Sequence, residues 1–184
     1  RMCEASDFYS RLRSMAIEPR NIIDVGVAWG TPELLEAFPD AYFYLFEPNT
    51  DFADRIETIL RKYSGEYHPY ALCDRADTQT VTVGPSSLDM AGASIYHQMQ
   101  SGPEFKAHKF ELRRLDDVAL TRPLQGSTLL KIDAQGADID VVRGGVKIVS
   151  ECDIVILETA VMAMSRRENM IDKVTPLMAE LGFI

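Results

Sequence analysis

Residues 21–30 read Asn-Ile-Ile-Asp-Val-Gly-Val-Ala-Trp-Gly, and this stretch decides the fold. Its first half is rich in β-branched residues and ends at Gly26, which predicts a buried strand followed by a tight turn. Thr31 and Pro32 come next, and these residue types favour the N-cap and the first position of a helix. A strand that runs through glycines into a helix is typical of the ligand-binding edge of an α/β sheet.

The rest of the chain alternates short apolar runs with helical stretches. Further strands are predicted over residues 41–47, 67–72, 79–83, 110–115, 127–132 and 153–157, and helices over 32–38, 51–63, 138–149 and 166–181. This alternation predicts an α/β fold, a doubly wound Rossmann-like parallel sheet with helices on both faces. The Thr–Val alternation at 79–83 is the exception, because it is typical of an antiparallel strand with one exposed face.

Length and composition indicate one domain. The chain has 184 residues, of which 46% are hydrophobic, so we predict a single globular domain over residues 1–184. Residues 84–109 are rich in Gly, Ser, Met and His and lack periodicity, and we expect an irregular lid or substrate loop there. The chain begins at Arg1 and stops at Ile184 in what resembles the start of a strand. We therefore expect truncated ends and a sheet that lacks its last strands.

Charge and cysteine content limit the class of partner. The net charge of −9 argues against nucleic acid, because binding to phosphates needs a basic surface. No apolar run approaches the roughly 18 residues of a membrane helix, and the first ten residues lack a signal-peptide core. Cys3, Cys73 and Cys152 form no C-x-x-C pair, so we expect free thiols in a reducing cytoplasm. A small molecule is the expected partner.

In a parallel sheet the ligand binds at the carboxyl ends of the strands. The candidate residues there are Asp24, Gly26, Glu47, Asp74, Asp133 and Glu158. Gly26 and Gly30 allow the backbone to approach a ligand closely, and Glu47 can accept both hydroxyls of a ribose. The glycine spacing is G-x-x-x-G instead of the G-x-G-x-x-G of pyrophosphate sites. A carboxylate at Asp24 suits the positive sulfonium and amino groups of S-adenosylmethionine better than a pyrophosphate.

Six short blocks follow one another along the chain. They are Asp24-Val25-Gly26-x-x-x-Gly30, Phe46-Glu47-Pro48, Ala71-Leu72-Cys73-Asp74, Leu115-Asp116-Asp117, Leu130-Lys131-Ile132-Asp133-Ala134-Gln135-Gly136-Ala137-Asp138 and Val142-Arg143-Gly144-Gly145. Their order resembles that of FkbM-type methyltransferases. The resemblance covers roughly residues 20–160, and its most specific block is the one over residues 130–138.

The resemblance implies a class I methyltransferase fold and S-adenosylmethionine as methyl donor, with O-methylation of a hydroxyl on a small molecule or sugar. It places Asp24, Gly26 and Gly30 in the loop around the methionine part and Glu47 at the ribose. We assign Pro48 and Asp74 to the same cofactor site. The family usually has Glu at the positions of Gln135 and Asp138, so this chain lacks one of the usual charges.

Methyl transfer to a hydroxyl requires alignment of the reacting atoms and a group that takes the proton. Asp133 is the first candidate for that base, although it could instead hold the cofactor amino group or cap the following helix. Glu158 can join Asp133 at the floor of the site. His97 and His108 flank the irregular loop, and His97 completes the set assigned to catalysis, Asp133, His97 and Glu158.

Three further expectations concern residues near this site. Lys131 lies on a buried strand, where it needs a carboxylate partner, either Asp24 or Glu158. Trp29 could stack near the cofactor, but it is expected to pack under the sheet, and His68 is expected to be structural. Two carboxylates could hold a divalent cation, but the sequence offers no clear third ligand, so no metal site is assigned.

Two other functions remain open at this point. A nicotinamide-dependent oxidoreductase would share the sheet, but the glycine spacing and the lack of a Tyr-x-x-x-Lys pair count against it. A non-catalytic module that only binds the cofactor is favoured by Gln135 in place of an acid. The fold alone does not separate these functions.

Overall fold

The structure of the protein is a computed structural model, and it describes residues 5–86, 90–96, 103–159 and 170–183. The strands are β1 (Asn21–Val25), β2 (Tyr42–Phe46), β3 (Gly65–His68), β4 (Ala71–Leu72), β5 (Asp77–Val83), β6 (Lys106–Arg113), β7 (Thr128–Ile132) and β8 (Ile154–Leu157). The helices are α1 (Ala5–Ser14), α2 (Pro32–Ala37), α3 (Ala53–Leu60), α4 (Asp138–Gly144), α5 (Val146–Glu151) and α6 (Ile171–Glu180).

A five-stranded parallel sheet forms the centre of the fold, in the order β3-β2-β1-β7-β8. Every residue of β1 is buried, as the apolar run predicts for a central strand. One face of the sheet packs on Val141, Val149 and Met178 of α4, α5 and α6. The other face packs on Leu34 and Ile56 of α2 and α3. Helices therefore cover both faces, and the predicted doubly wound α/β fold is confirmed.

A second, three-stranded sheet has the order β4-β6-β5. β5 pairs antiparallel with β6, from Asp77 opposite Leu112 to Val83 opposite Lys106, which confirms the antiparallel strand expected at 79–83. Because β6 begins at Lys106, the prediction of irregular structure as far as residue 109 is wrong at its end. Within β6 only Phe110 and Leu112 are buried, so the first half of the strand carries no apolar alternation.

The strand predicted over 67–72 is two strands in two different sheets. β3 ends at His68 in the large sheet, and β4 begins at Ala71 in the small one. Pro69 lies between them, where it has no amide hydrogen to donate to a neighbouring strand. The amide of Tyr70 donates to the His68 carbonyl at 2.9 Å, which closes a tight turn. The proline therefore divides the run and sends the chain from one sheet to the other.

The predicted helix over 138–149 is also divided, into α4 and α5 at Gly144 and Gly145. A Cβ on Gly144 would lie 2.0 Å from the Cys73 carbonyl oxygen, so this glycine lets α4 pack directly on the chain after β4. Residues 51–63 form a 3-10 turn (Thr50–Phe52) followed by α3, which ends at Leu60. The helix expected at 166–181 is described from residue 171 as α6, and residues 160–169 lie outside the described chain.

Candidate functional site

A cavity of about 290 Å³ opens at the carboxyl edge of the large sheet. The loops after β1, β2 and β7 form one side of it, and β4 and residues 90–95 contribute to the other. Its volume is close to the lower end of the about 300–1,000 Å³ of ligand pockets. The predicted site residues that line it are Gly26, Gly30, Glu47, Pro48 and Asp133. The structure therefore brings residues from three separate sequence blocks to one cavity.

Gly26 is the point where the loops after β1 and β7 meet. Its φ is +78°, in the left-handed region, and a Cβ there would lie 1.9 Å from the carbonyl oxygen of Asp133. The Asp133 amide in turn donates to the Val25 carbonyl at 3.0 Å. Backbone therefore contacts backbone at the cavity floor, and no side chain fits at residue 26.

The amides of the loop after β1 are largely engaged within the protein. Those of Gly26 and Val27 donate to the Phe46 carbonyl (2.9 and 3.4 Å), that of Ala28 to Glu47 Oε2 (2.9 Å), and that of Gly30 to the Val27 carbonyl (2.7 Å). A phosphate-binding loop needs such amides free to point at the anion. This loop shapes the cavity without offering these four donors to an anionic ligand.

Asp24 and Lys131 are direct neighbours on the parallel strands β1 and β7. Lys131 Nζ lies 3.0 Å from Asp24 Oδ1, and Asp24 is 2% exposed, so the expectation that Lys131 pairs with a carboxylate is confirmed. Burial alone would lower the pKa of Lys131, but the charges of Asp24 and Asp133 outweigh it and raise that pKa. Asp24 Oδ2 accepts a hydrogen bond from the Thr31 hydroxyl at 2.9 Å. Asp24 thus lies behind the loop and braces it, outside the cavity lining.

Glu47 is buried at the end of β2, with 6% of its surface exposed. Its Oε2 accepts from the Ala28 amide at 2.9 Å and its Oε1 from the Asn49 amide at 2.8 Å. Burial raises the pKa of this carboxyl to about 7, against the opposing effect of the two amides. Each carboxylate oxygen still has a lone pair available, so Glu47 can accept further hydrogen bonds from a ligand.

Asp133 follows β7 at the cavity floor, and its side chain is 38% exposed. Gln135 Nε2 donates to Asp133 Oδ1 at 2.8 Å, and Lys131 Nζ lies 3.9 Å from Asp133 Oδ2. Glu158, at the end of β8, is hydrogen-bonded to Asp133. Partial burial, that hydrogen bond and the charge of Asp133 raise the pKa of Glu158 to about 7. Two carboxyls that were predicted to meet therefore do meet, although Glu158 is not part of the cavity lining.

The remaining predicted residues lie elsewhere. Asp74 is on the surface and accepts from Arg75 Nη1 at 3.2 Å, outside the lining of the cavity. His97 lies outside the described residues. His108 is on β6 in a different cleft, with its Nε2 3.8 Å from Asp51 Oδ2. His68 packs flat on the Phe46 ring at 4.5 Å between centroids, which supports its structural role.

Part of the apolar wall of the cavity is what sequence reasoning missed, since only Met90 and Ile95 lie in the segment 84–109 that was expected as a lid or substrate loop. Its members are Tyr70, Leu72, Met90, Ile95 and Phe110. None of them ends a strand of the large sheet, so no local signal marks them. Trp29 was expected to pack under the sheet, and that expectation is wrong: it lines the cavity, is 46% exposed, and meets Phe52 edge to face at 4.9 Å.

Comparison with known proteins decides the family. A family model described as the methyltransferase FkbM domain matches residues 24–184. The chain belongs to the FkbM methyltransferase family. Its structure is similar to the crystal structure of methyltransferase FkbM from Methylobacillus flagellatus KT, with a TM-score of 0.58 and 15% sequence identity. That match covers 96% of this chain and 44% of the other, so this chain spans less than half the length of that FkbM protein.

No curated protein matches the chain at a significant level. The FkbM match begins at Asp24, so α1 precedes the matched residues. Within the described part of the chain, no helix combines the length and the apolar character needed to cross a bilayer. The same residues contain no group of three or more His, Cys, Asp or Glu side chains that could hold a metal ion.

Proposed function

We propose that this FkbM-family chain binds S-adenosylmethionine and transfers its methyl group to a hydroxyl of a small molecule. The observation that carries the proposal is the charge of the cavity. Glu33, Glu47 and Asp133 line it, and Lys131, the one lysine in the lining among the described residues, is paired with Asp24. S-adenosylmethionine carries positive charge on its sulfonium and amino groups, and a carboxylate-lined cavity favours such a ligand.

The engaged amides of the β1 loop support the same choice. A nicotinamide dinucleotide brings a pyrophosphate, which needs free amides or basic side chains. Four amides of this loop are already bonded within the protein, and no arginine lines the cavity among the described residues. These features count against the oxidoreductase alternative.

The residues present also fit the nucleoside part of the cofactor. The free lone pairs of Glu47 suit a ribose diol, and the wall of Tyr70, Leu72 and Phe110 suits the face of an adenine. Asn49 follows the cavity-lining Pro48 in the sequence and is fully buried, and its Nδ2 has no acceptor among the described residues. A buried donor of this kind is costly unless a ligand satisfies it.

When bound, S-adenosylmethionine supplies an electrophilic methyl group on a positively charged sulfur. The chain's own contribution is to position the acceptor hydroxyl and to take its proton. Asp133, partly exposed at the cavity floor, is the proposed base. Glu158 shares a hydrogen bond with it, and partial burial and that hydrogen bond raise the pKa of Glu158 to about 7. Divalent metal plays no part in this proposal.

We further propose a small-molecule acceptor, with neither nucleic acid nor membrane as partner, and a cytoplasmic location. The net charge of −9 and the absence of a C-x-x-C pair from the sequence support these choices. The acceptor itself is to be found by screening hydroxylated compounds and sugars for methyl incorporation.

Titration of the protein with S-adenosylmethionine, followed by calorimetry and by the fluorescence of Trp29, tests the cofactor. Trp29 is the only tryptophan and lines the cavity, so its emission should change on binding. We expect micromolar binding of S-adenosylmethionine and none of NAD. Glu47→Ala should abolish binding, whereas Glu57→Ala, on the exposed side of α3, should not. Absence of S-adenosylmethionine binding would sink the proposal, and binding without turnover on any acceptor would favour the non-catalytic module.

A further inference from the structure

Gln135 holds an unusual backbone conformation beside the proposed base. Its φ is +49°, in the left-handed region that few residues other than glycine adopt, and Gly136 follows with a φ of +95°. The hydroxyl of Ser94 donates to the Gln135 carbonyl at 2.6 Å. The carboxylate of the buried Asp138 accepts from the amides of Ala134 and Gly136, both at 3.2 Å. Hydrogen bonds to Ser94 and to Asp138 therefore fix the turn at Gln135 and Gly136.

The side chain of Gln135 returns from this turn to Asp133. Its Nε2 donates to Asp133 Oδ1 at 2.8 Å. This hydrogen bond fixes the orientation of the Asp133 carboxyl. Burial, the hydrogen bond to Asp133 and the charge of Asp133 raise the pKa of the neighbouring Glu158.

Ser94 is itself fixed within the wall of the cavity. It is 4% exposed, and its Oγ also accepts from the Tyr96 amide at 3.1 Å. Gln79 Nε2 donates to the Ile95 carbonyl, and the Tyr96 hydroxyl donates to Asp140 Oδ2. Ile95 lines the cavity directly. The segment that walls the cofactor cavity is thus connected through one hydroxyl to the turn that orients Asp133.

We propose that Ser94 and Gln135 are positioning residues, the Ser94 hydroxyl fixing the Gln135 turn and the Gln135 amide holding the Asp133 carboxyl in place. This rests on the proposed function for the identity of the base, but the contacts can be tested without cofactor or acceptor. The groups that face Asp133 electrostatically are Lys131 of β7, Glu158 after β8 and Tyr9 of α1, with Asp138 of α4 acting on Glu158.

The test is a pH titration of the carboxyl carbons of Asp133 and Glu158 by NMR in the cofactor-free protein. Gln135→Gly removes the amide, and glycine adopts the positive φ without strain, so this variant should fold at least as well as the wild type. Because a carboxyl that loses an N–H donor binds its proton more tightly, we expect the lower titration step of the Asp133–Glu158 pair to rise by about one pH unit, a tenfold gain in proton affinity. Ser94→Ala should raise the same titration step by a smaller amount. Ser94→Thr keeps the hydroxyl and should leave that step unchanged.

Two variants outside the site serve as matched controls. Ala16→Gly relaxes another left-handed residue, with φ of +57°, and Ser150→Ala removes another serine-to-carbonyl bond of 2.8 Å. Neither control variant should shift the titration steps of Asp133 and Glu158. An unchanged lower step in Gln135→Gly, or an equal shift in the controls, would overturn the inference. S-adenosylmethionine binding is measured separately on the same proteins, so a failure of the proposed cofactor is recognised independently of this result.

Discussion

Replacing Gly26 with alanine should destabilise the fold by about 2–5 kcal/mol. The left-handed φ of +78° costs an L-residue about 1–2 kcal/mol. The new Cβ would also lie 1.9 Å from the Asp133 carbonyl oxygen, and relieving such overpacking costs about 1–3 kcal/mol more. The atom in the way belongs to the backbone and its chain is tied to β1 by the Asp133 amide, so it cannot simply rotate aside. For a domain of this size the melting temperature should fall by roughly 4–20 °C.

Alanine substitutions at two other glycines distinguish the steric clash of the new Cβ from the strain of a positive φ. Gly182 has a φ of +93° with no atom within 4 Å of an added Cβ, so Gly182→Ala reports strain alone. Gly30 has a φ of +99°, and its nearest atom is the mobile end of the Ile59 side chain at 2.9 Å, so Gly30→Ala should be intermediate. The melting temperatures of the three variants, measured by calorimetry or circular dichroism, rank the three substitutions by their cost in stability. Equal melting temperatures for Gly26→Ala and Gly182→Ala would refute the proposed backbone contact between the two loops.

Three further predictions concern charge. Lys131→Met leaves the buried Asp24 unpaired and should lower the free energy of unfolding in urea by about 3–5 kcal/mol. Arg61→Met removes one partner of the exposed pair with Glu57 and should lower it by less than about 1 kcal/mol. Equal losses in the two variants would contradict the argument. Glu47 has a pKa of about 7 against an ordinary 4.5, so the native state holds a proton that the unfolded chain has lost between these values. Stability should therefore fall by about 3 kcal/mol as pH rises through this range, and Glu47→Gln should flatten the fall in the same unfolding assay. Ribose hydroxyls should stabilise ionised Glu47, so S-adenosylmethionine binding near pH 6.5 should release protons, seen as a buffer-dependent heat that the Gln variant lacks.

The large sheet and its ligand-binding edge are predictable because their signals are local. The β-branched run before Gly26 predicts a buried strand, and strand ends in a parallel sheet meet at one edge whatever the loops between them do. Burying an unpaired ammonium is costly, so the sequence predicts a carboxylate partner for Lys131. The sequence does not show whether that partner is Asp24 or Glu158. That choice depends on the register between β1 and β7, which places Lys131 opposite Asp24.

The other side of the cavity had no comparable signal. β4 has only two residues, and Pro69 sends it out of the large sheet, so an apolar run that looks like one strand serves two sheets. Trp29 has the composition of a core residue, and only the packing of the β1 loop against Phe52 places its ring at the cavity. Such contacts depend on the arrangement of elements distant in the chain.

The sequence by itself determined the alternation of strands and helices in the large sheet, the family and most residues at the carboxyl edge. Hydrophobic period, turn residues and short motifs are properties of neighbouring positions. Only the tertiary structure decided what those residues do there. In the structure Asp24 points inward and accepts from Lys131, both oxygens of Glu47 accept hydrogen bonds, and Asp133 and Glu158 are hydrogen-bonded to each other. Each of these outcomes follows from burial and from distances between separate segments, and neither quantity is written in the local sequence.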